Sequence, residues 1–300
     1  EIRFCDWSSD VCSSDLGDEV VLAAPLFPNT RTAIQATGAE IKTVPLSFDD
    51  GYRLDLEAFR AQLSRKTRLV CLCSPQNPSG VVIPTETIWK IAVMLQQAGA
   101  DAYLLVDETY RQAVSGDDAI APSAVTISPR IISTASLSKC HGAPGLRLGW
   151  AITQDPALRE QLILGKFNSV ICSSAIDEAL ALRVLARQDR IIGERRDHLA
   201  EGLAHVRDWV VRNGDLVEWV RPHAGALCCV RLRPAVFDEA AVARFYAGLD
   251  RQGVRVAPGS WFQETDHVFR LGFGLLPMPE LEAGLDRMSG VLAQIRRDAA

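Results

Sequence analysis

Arg68-Leu69-Val70-Cys71-Leu72-Cys73, running straight into Ser74-Pro75-Gln76-Asn77-Pro78-Ser79-Gly80, is an apolar run that stops abruptly in a polar turn. A run this short and this apolar suits a strand buried on both faces, and Asn-Pro and Ser-Gly are breaker pairs that end it. Behind the turn, residues 85–98 have helical periodicity, with Thr85 placed as N-cap and Gly99 as stop, and residues 103–106 begin another apolar run. Strand, helix and strand at this spacing predict a parallel sheet covered by helices.

The same alternation extends in both directions. Upstream, residues 20–23 and 40–46 read as strands, with helices at 30–37 (ended by Gly38) and 55–63; downstream, 131–135 and 148–152 continue the sheet. After about residue 176 the pattern changes to consecutive amphipathic helices at 176–186 and 194–211, the second closed by Asn213-Gly214. A smaller unit follows, with strands at 227–232, 254–257 and 268–273 and helices at 239–249 and 280–295. The expected fold is α/β: a mostly parallel sheet flanked by helices in a large domain over residues 17–190, then a bridging helix and smaller α+β domain over 191–300. Residues 1–16 fit nothing downstream. Trp7-Ser8-Ser9-Asp10-Val11-Cys12-Ser13-Ser14-Asp15-Leu16 reads like a translated sequencing adapter, so this stretch is set aside as a non-native leader.

Composition narrows the partners. At 300 residues, 48% hydrophobic and 23% charged, the chain can bury a large core in two domains. A net charge of −5 and a pI near 5.6 disfavour nucleic acid and anionic membranes. No apolar run approaches the roughly 18 residues of a membrane span. The eight cysteines form no CxxC pair and no histidine stands at zinc-finger spacing, so a metal site is not expected and free thiols point to a reducing cytoplasm.

In open α/β sheets, ligands collect beyond the carboxyl ends of strands. Three polar motifs follow strand candidates directly: residues 74–80, 107–110 and 136–139. In Ser136-Leu137-Ser138-Lys139-Cys140-His141-Gly142-Ala143-Pro144-Gly145-Leu146-Arg147-Leu148-Gly149, a lysine among small residues precedes an arginine by eight positions. Partial loss of water around such an amine favours the neutral form that attacks a carbonyl, and the arginine suits a phosphate. Asp107, at a strand end, can hold a heterocyclic nitrogen protonated or simply cap the next turn. Tyr110 and Phe27 read as ring contacts or as core, and Asn77 as a donor or as part of a plain loop. Arg270, inside an apolar strand, needs a buried anion, either a structural Asp or Glu or a substrate α-carboxylate.

Taken in order, Asn-Pro-x-Gly at 77–80, Asp-x-x-Tyr at Asp107 and Tyr110, Ser-x-x-Lys at Ser136 and Lys139, then Arg147 and Arg270, resemble the class I/II aminotransferases. These are fold-type I pyridoxal-phosphate enzymes, and the resemblance runs from about Gly17 to the C-terminus. It implies pyridoxal 5′-phosphate as cofactor, with Lys139 as Schiff-base lysine and proton shuttle. It further implies Asp107 at the pyridine nitrogen, Asn77 and Tyr110 at the ring oxygen, and Ser136 and Arg147 at the phosphate. Phe27 takes the stacking place where Tyr or Trp is more usual, and Arg270 with Asn77 binds the substrate carboxylate. The implied reaction moves an amino group from an amino acid to a 2-oxo acid, in a cytoplasmic homodimer with no nucleic-acid or membrane partner. A lyase or cyclase of the same fold would use the same residues. Family members also carry a further N-terminal portion that grips the phosphate, where the leader stands here, so an inactive fragment is the remaining alternative. Trp261 and Phe262 hint at the substrate pocket, whose preference stays open.

Overall fold

The computed structural model describes residues 17–116 and 118–298, so the leader lies outside the described residues. Six strands form the larger sheet: β1 (Glu19–Ala24), β2 (Glu40–Pro45), β3 (Thr67–Cys73), β4 (Tyr103–Asp107), β5 (Ile131–Ser136) and β6 (Gly149–Thr153). Their order is β2-β1-β3-β4-β5-β6. The first five are parallel, whereas β6 runs antiparallel to β5. The mostly parallel sheet flanked by helices is therefore present.

Local chemistry sets the helix starts. In α1 (Pro28–Gln35), Pro28 supplies a preset φ at the first turn. In α2 (Leu56–Gln62), the Asp55 carboxylate accepts from the backbone N–H groups of Glu57 and Ala58. Thr85 is the first residue of α3 (Thr85–Gln97) rather than its cap; Pro84 holds the cap position without a side-chain bond. Gly99 ends that helix at φ +64°, as expected. The sequence reading had no helix at α4 (Pro156–Val170), which Asp155 caps through the N–H groups of Ala157 and Leu158. Tyr103 Oη also donates to Asp155 at 2.6 Å, tying α4 to β4.

Two further helices, α5 (Ala175–Leu185) and α6 (Gln188–Arg212), lead to the second sheet. Its strands are β7 (Val217–Val220), β8 (Leu227–Leu232), β9 (Ala257–Pro258) and β10 (Val268–Gly272), in the order β7-β8-β10-β9 and wholly antiparallel. Helices α7 (Glu239–Arg251) and α8 (Met278–Asp298) complete it. β7 was not anticipated, and β9 is paired over two residues only, although a strand was expected over 254–257.

Alternation along β10 sorts its side chains onto two faces. Phe269 and Leu271 enter a core with Trp209 of α6 and Phe245 of α7. Val268 faces the other way, toward Leu46, Tyr52, Val81 and Cys229, a small cluster that welds the two sheets together. Each large side chain buried in these clusters contributes about 1.5–3 kcal/mol. Gly80 marks a close contact between the sheets. It sits at φ +73°, and a Cβ there would lie 2.5 Å from Pro222 Cβ and 2.7 Å from the Leu227 carbonyl oxygen. That close approach lets the Gly80 carbonyl accept from the N–H groups of both His223 and Ala224. Among the described residues, no helix is long and apolar enough to cross a membrane.

Candidate active site

Because β3, β4 and β5 are parallel and in register, Cys73, Asp107 and Thr134 lie side by side near their carboxyl ends. Asp107 Oδ1 accepts from Thr109 N at 2.9 Å, so the carboxylate does cap its own turn, and it also lines the hollow beyond. Glu108 points the other way into the protein. Its carboxylate takes Ala124 N at 2.6 Å, Ser123 Oγ at 2.7 Å and Arg111 Nε at 3.2 Å, which pins the segment after β4. Tyr110 is buried on that segment, and burial pushes its phenol up to about 12, so the hydroxyl stays protonated and can donate.

The 74–80 turn is equally constrained. Gln76 N donates to Val81 O, Gly80 N to Gln76 O, Ser79 Oγ to Gln76 Oε1 at 2.7 Å and Gln76 Nε2 to the Tyr52 carbonyl. Asn77 is thereby held buried beside β10, where its Oδ1 accepts from Arg270 Nη1 at 2.8 Å. The Arg270 guanidinium also lies 4.8 Å from the centre of the Phe262 ring. Burial pulls its pKa down. The anionic partner expected for Arg270 is therefore not a structural carboxylate; an amide and an aromatic ring hold the side chain instead. Because Asn77 uses its oxygen on Arg270, its amide N–H groups are the part left to serve a ligand.

The lysine segment is built more loosely. Leu137 is buried and exchanges backbone bonds with Leu148 and Ala143, and Gly142 N donates to the Lys139 carbonyl. Gly149 admits no side chain, since a Cβ would lie 2.7 Å from the Ala135 carbonyl oxygen. Within this frame Lys139 is exposed, contrary to the partial burial expected of it, because its small neighbours leave it uncovered. Arg147 is also exposed, in a left-handed conformation (φ +53°), with Nη1 donating to the Pro144 carbonyl. Ser136 is half-buried, and Phe27 is 44% exposed.

All the candidate residues nonetheless line one open hollow of about 2270 Å³. This exceeds the roughly 300–1,000 Å³ of an ordinary small-molecule pocket. Its wall is cationic although the chain is acidic: among the described residues Asp107 and Asp177 are its acidic members, against many lysines and arginines. Anions are drawn to such a wall. Sequence reasoning missed Cys73, whose thiol burial drives upward beside Asp107, and Arg195, whose Nη2 reaches the Gly274 carbonyl at 3.5 Å. Cys73 was within reach, since it ends β3 as Asp107 ends β4. Arg195, on α6, left no local signal.

These donors fit pyridoxal 5′-phosphate: a carboxylate at a strand end for a ring nitrogen, a protonated phenol and an amide for a ring oxygen, and an arginine with a serine for a phosphate. Comparison with known proteins agrees. The family model for aminotransferase class I and II matches residues 8–288. Capreomycidine synthase of Streptomyces vinaceus is 29% identical over 272 residues, covering 91% of this chain and 68% of that protein. Arginine–pyruvate transaminase of Pseudomonas aeruginosa is 29% identical over 289 residues, with the same coverage of both. Among solved structures, a PLP-dependent aminotransferase from Streptococcus suis superposes with a TM-score of 0.85 at 26% identity, covering 98% of this chain and 74% of its own. By motif, fold and family match, the chain belongs to the class I and II aminotransferases, pyridoxal 5′-phosphate-dependent enzymes that move an amino group from an amino acid to a 2-oxo acid.

Proposed function

We propose that the hollow beyond β3, β4 and β5 is the cofactor and substrate site, with Lys139 as its catalytic amine. The observation that carries this reading is the convergence of side chains from five separate segments, from Phe27 to Arg270, on a single cationic cavity. In this reading Asp107 keeps the cofactor ring protonated, while Tyr110 and the free amide of Asn77 donate to its oxygen. Ser136 and Arg147 hold the phosphate, and Phe27 lies against the ring. Bound there, the cofactor supplies an electron-withdrawing ring that weakens the C–H bond at the substrate's α-carbon. Lys139 Nζ accepts that proton and returns it, which its exposure permits because the side chain is free to swing. Arg270, already oriented by Asn77 and Phe262, receives the substrate carboxylate as a bidentate pair.

The division of labour follows the two sheets. Residues 17–190 hold the cofactor, and residues 191–300 bring Arg270 to the substrate. A homodimer is supported by the surface around β6, α4 and α5, where Trp150, Ile163, Leu164, Phe167, Ile176 and Leu182 are all exposed. An apolar patch of this kind marks an interface. No disulfide joins the described cysteines, which supports a cytoplasmic setting.

Borohydride reduction of the cofactor-loaded protein, followed by peptide mapping, tests the assignment directly. The cofactor is expected on the peptide containing Lys139; labelling elsewhere, or none, overturns it.

A further inference from the structure

We propose that Tyr52 is a positioning residue for the substrate site: by holding the Glu264 carboxylate, it keeps a neighbouring acid from neutralising Arg270. The inference rests on the reading of Arg270 as holder of the substrate α-carboxylate.

The register of the second sheet brings these groups together. β8 and β10 are antiparallel with Cys229 opposite Arg270, so the two side chains rise from one face with Cβ atoms roughly 4.5–5.5 Å apart. Tyr52 packs on that same face, in the cluster of Cys229 and Val268. Its hydroxyl is within hydrogen-bond reach of the Cys229 thiol and donates to Glu264 Oε2 at 3.4 Å. Glu264 follows Phe262 by two residues, and the Phe262 ring lies 4.8 Å from the Arg270 guanidinium. Burial raises the pKa of the Cys229 thiol, Glu264 adds to the rise and Arg270 opposes it, so both charges act on one atom. A carboxylate and a guanidinium partly screened from water attract each other strongly. Among the described residues, however, Arg270 Nη1 donates to Asn77, while both Glu264 oxygens are engaged elsewhere. Oε1 accepts from Thr265 N at 3.0 Å and Oε2 from Tyr52.

Tyr52 is fixed for this task at both ends. Its φ of +56° lies in the left-handed region that a bulky side chain rarely adopts. Surrounding contacts hold it there: Tyr52 N donates to the Ser47 carbonyl at 2.8 Å, and the Tyr52 carbonyl accepts from Gln76 Nε2 at 3.2 Å, next to Asn77. The ring is fully buried, edge-on to Phe48. Burial raises its phenol far above the ordinary value, so the proton stays on the oxygen. A hydroxyl has one proton to give and can also accept. The buried Cys229 thiol can supply the bond that Tyr52 Oη accepts, which leaves the phenolic proton for Glu264.

Calorimetric titration of the cofactor-loaded protein with butyrate, which carries one carboxylate and no amine, reads the state of Arg270 without requiring turnover. Tyr52→Phe keeps the ring and removes the hydroxyl. The released carboxylate is expected to capture Arg270 and weaken butyrate binding roughly tenfold or more. Glu264→Gln alone should stay within about twofold of wild type, and the Tyr52→Phe/Glu264→Gln double variant should recover wild-type affinity. Mere loosening of the buried cluster would leave the double variant as weak as Tyr52→Phe. That result, or unchanged affinity in Tyr52→Phe, overturns the proposal while the Arg270 reading stands on the loss of butyrate binding in Arg270→Ala. If Arg270→Ala leaves the affinity unchanged, the underlying reading fails and this inference fails with it.

Discussion

On the side of the hollow formed by the ends of β3, β4 and β10, Asn77 is 8% exposed and Tyr110 7%, and Arg270 is locked onto Asn77 and Phe262. Across from it, on the turn between β5 and β6, Lys139 and Arg147 are exposed and reach no other segment through their side chains among the described residues. The first wall is made of groups the fold itself needs, since each is part of the seam between the two sheets. The second has a rigid backbone, set by Leu137 and Gly149, and carries Lys139 and Arg147 outside the core. Stability and chemistry should thus be separable on the lysine side and inseparable on the asparagine side.

Lys139→Ala is the sharpest way to test that separation. If Lys139 moves the proton as proposed, its loss is expected to lower kcat by about 10³-fold or more, measured by oxo-acid release. Because the side chain is exposed, stability should stay within about 0.5 kcal/mol of wild type in a urea titration. A comparable loss of stability would show that the lysine wall is part of the fold after all.

Gly80→Ala probes the opposite wall. The new Cβ would lie 2.5–2.8 Å from Pro222 Cβ and the carbonyl oxygens of Leu227 and Ala224, at a φ of +73°. Backbone cannot yield cheaply, so a loss of about 3 kcal/mol is expected, read as a melting temperature lower by roughly 5–10 °C. Cofactor affinity should fall in parallel, because Asn77 belongs to the same turn. Unchanged melting would mean that the seam between the sheets tolerates opening.

How far these walls could be read from the sequence depends on how local their causes are. β3 and its turn were legible because an apolar run and breaker pairs are properties of adjacent residues. The direction of β6 was missed, although the reason was available: no helix fits between β5 and β6, and a parallel return needs a crossover. α4 escaped because its apolar residues do not collect on one buried stripe; Ile163, Leu164 and Phe167 are all exposed. The family pattern at residues 136–149 singled out Lys139 and Arg147 as candidates but was silent on their exposure, which depends on what surrounds the turn. The bond from Arg270 to Asn77 joins residues 193 positions apart, and only the folded chain brings them together.

His141 offers the smallest effect and the finest discrimination between the walls. It lies two residues from Lys139, is 6% exposed, stands edge-on to Trp150, and neither ring nitrogen has a hydrogen-bond partner among the described residues. Burial lowers its pKa below the ordinary value near 6.5. The unfolded chain therefore binds the proton more readily than the folded one. Stability from this group is fully present above about pH 6.5 and is lost as pH falls from there toward the folded pKa. Between pH 7.5 and 5.5 the loss should amount to at most about 1 kcal/mol, measured as the difference in urea stability between wild type and His141→Phe. The Phe variant should lack this component and gain stability at both values, since the ring stays packed and two unpartnered nitrogens disappear. Absence of any difference between the two proteins would mean that His141 finds a partner in solution. The lysine wall would then be anchored by a polar contact, as its counterpart is, rather than by packing alone.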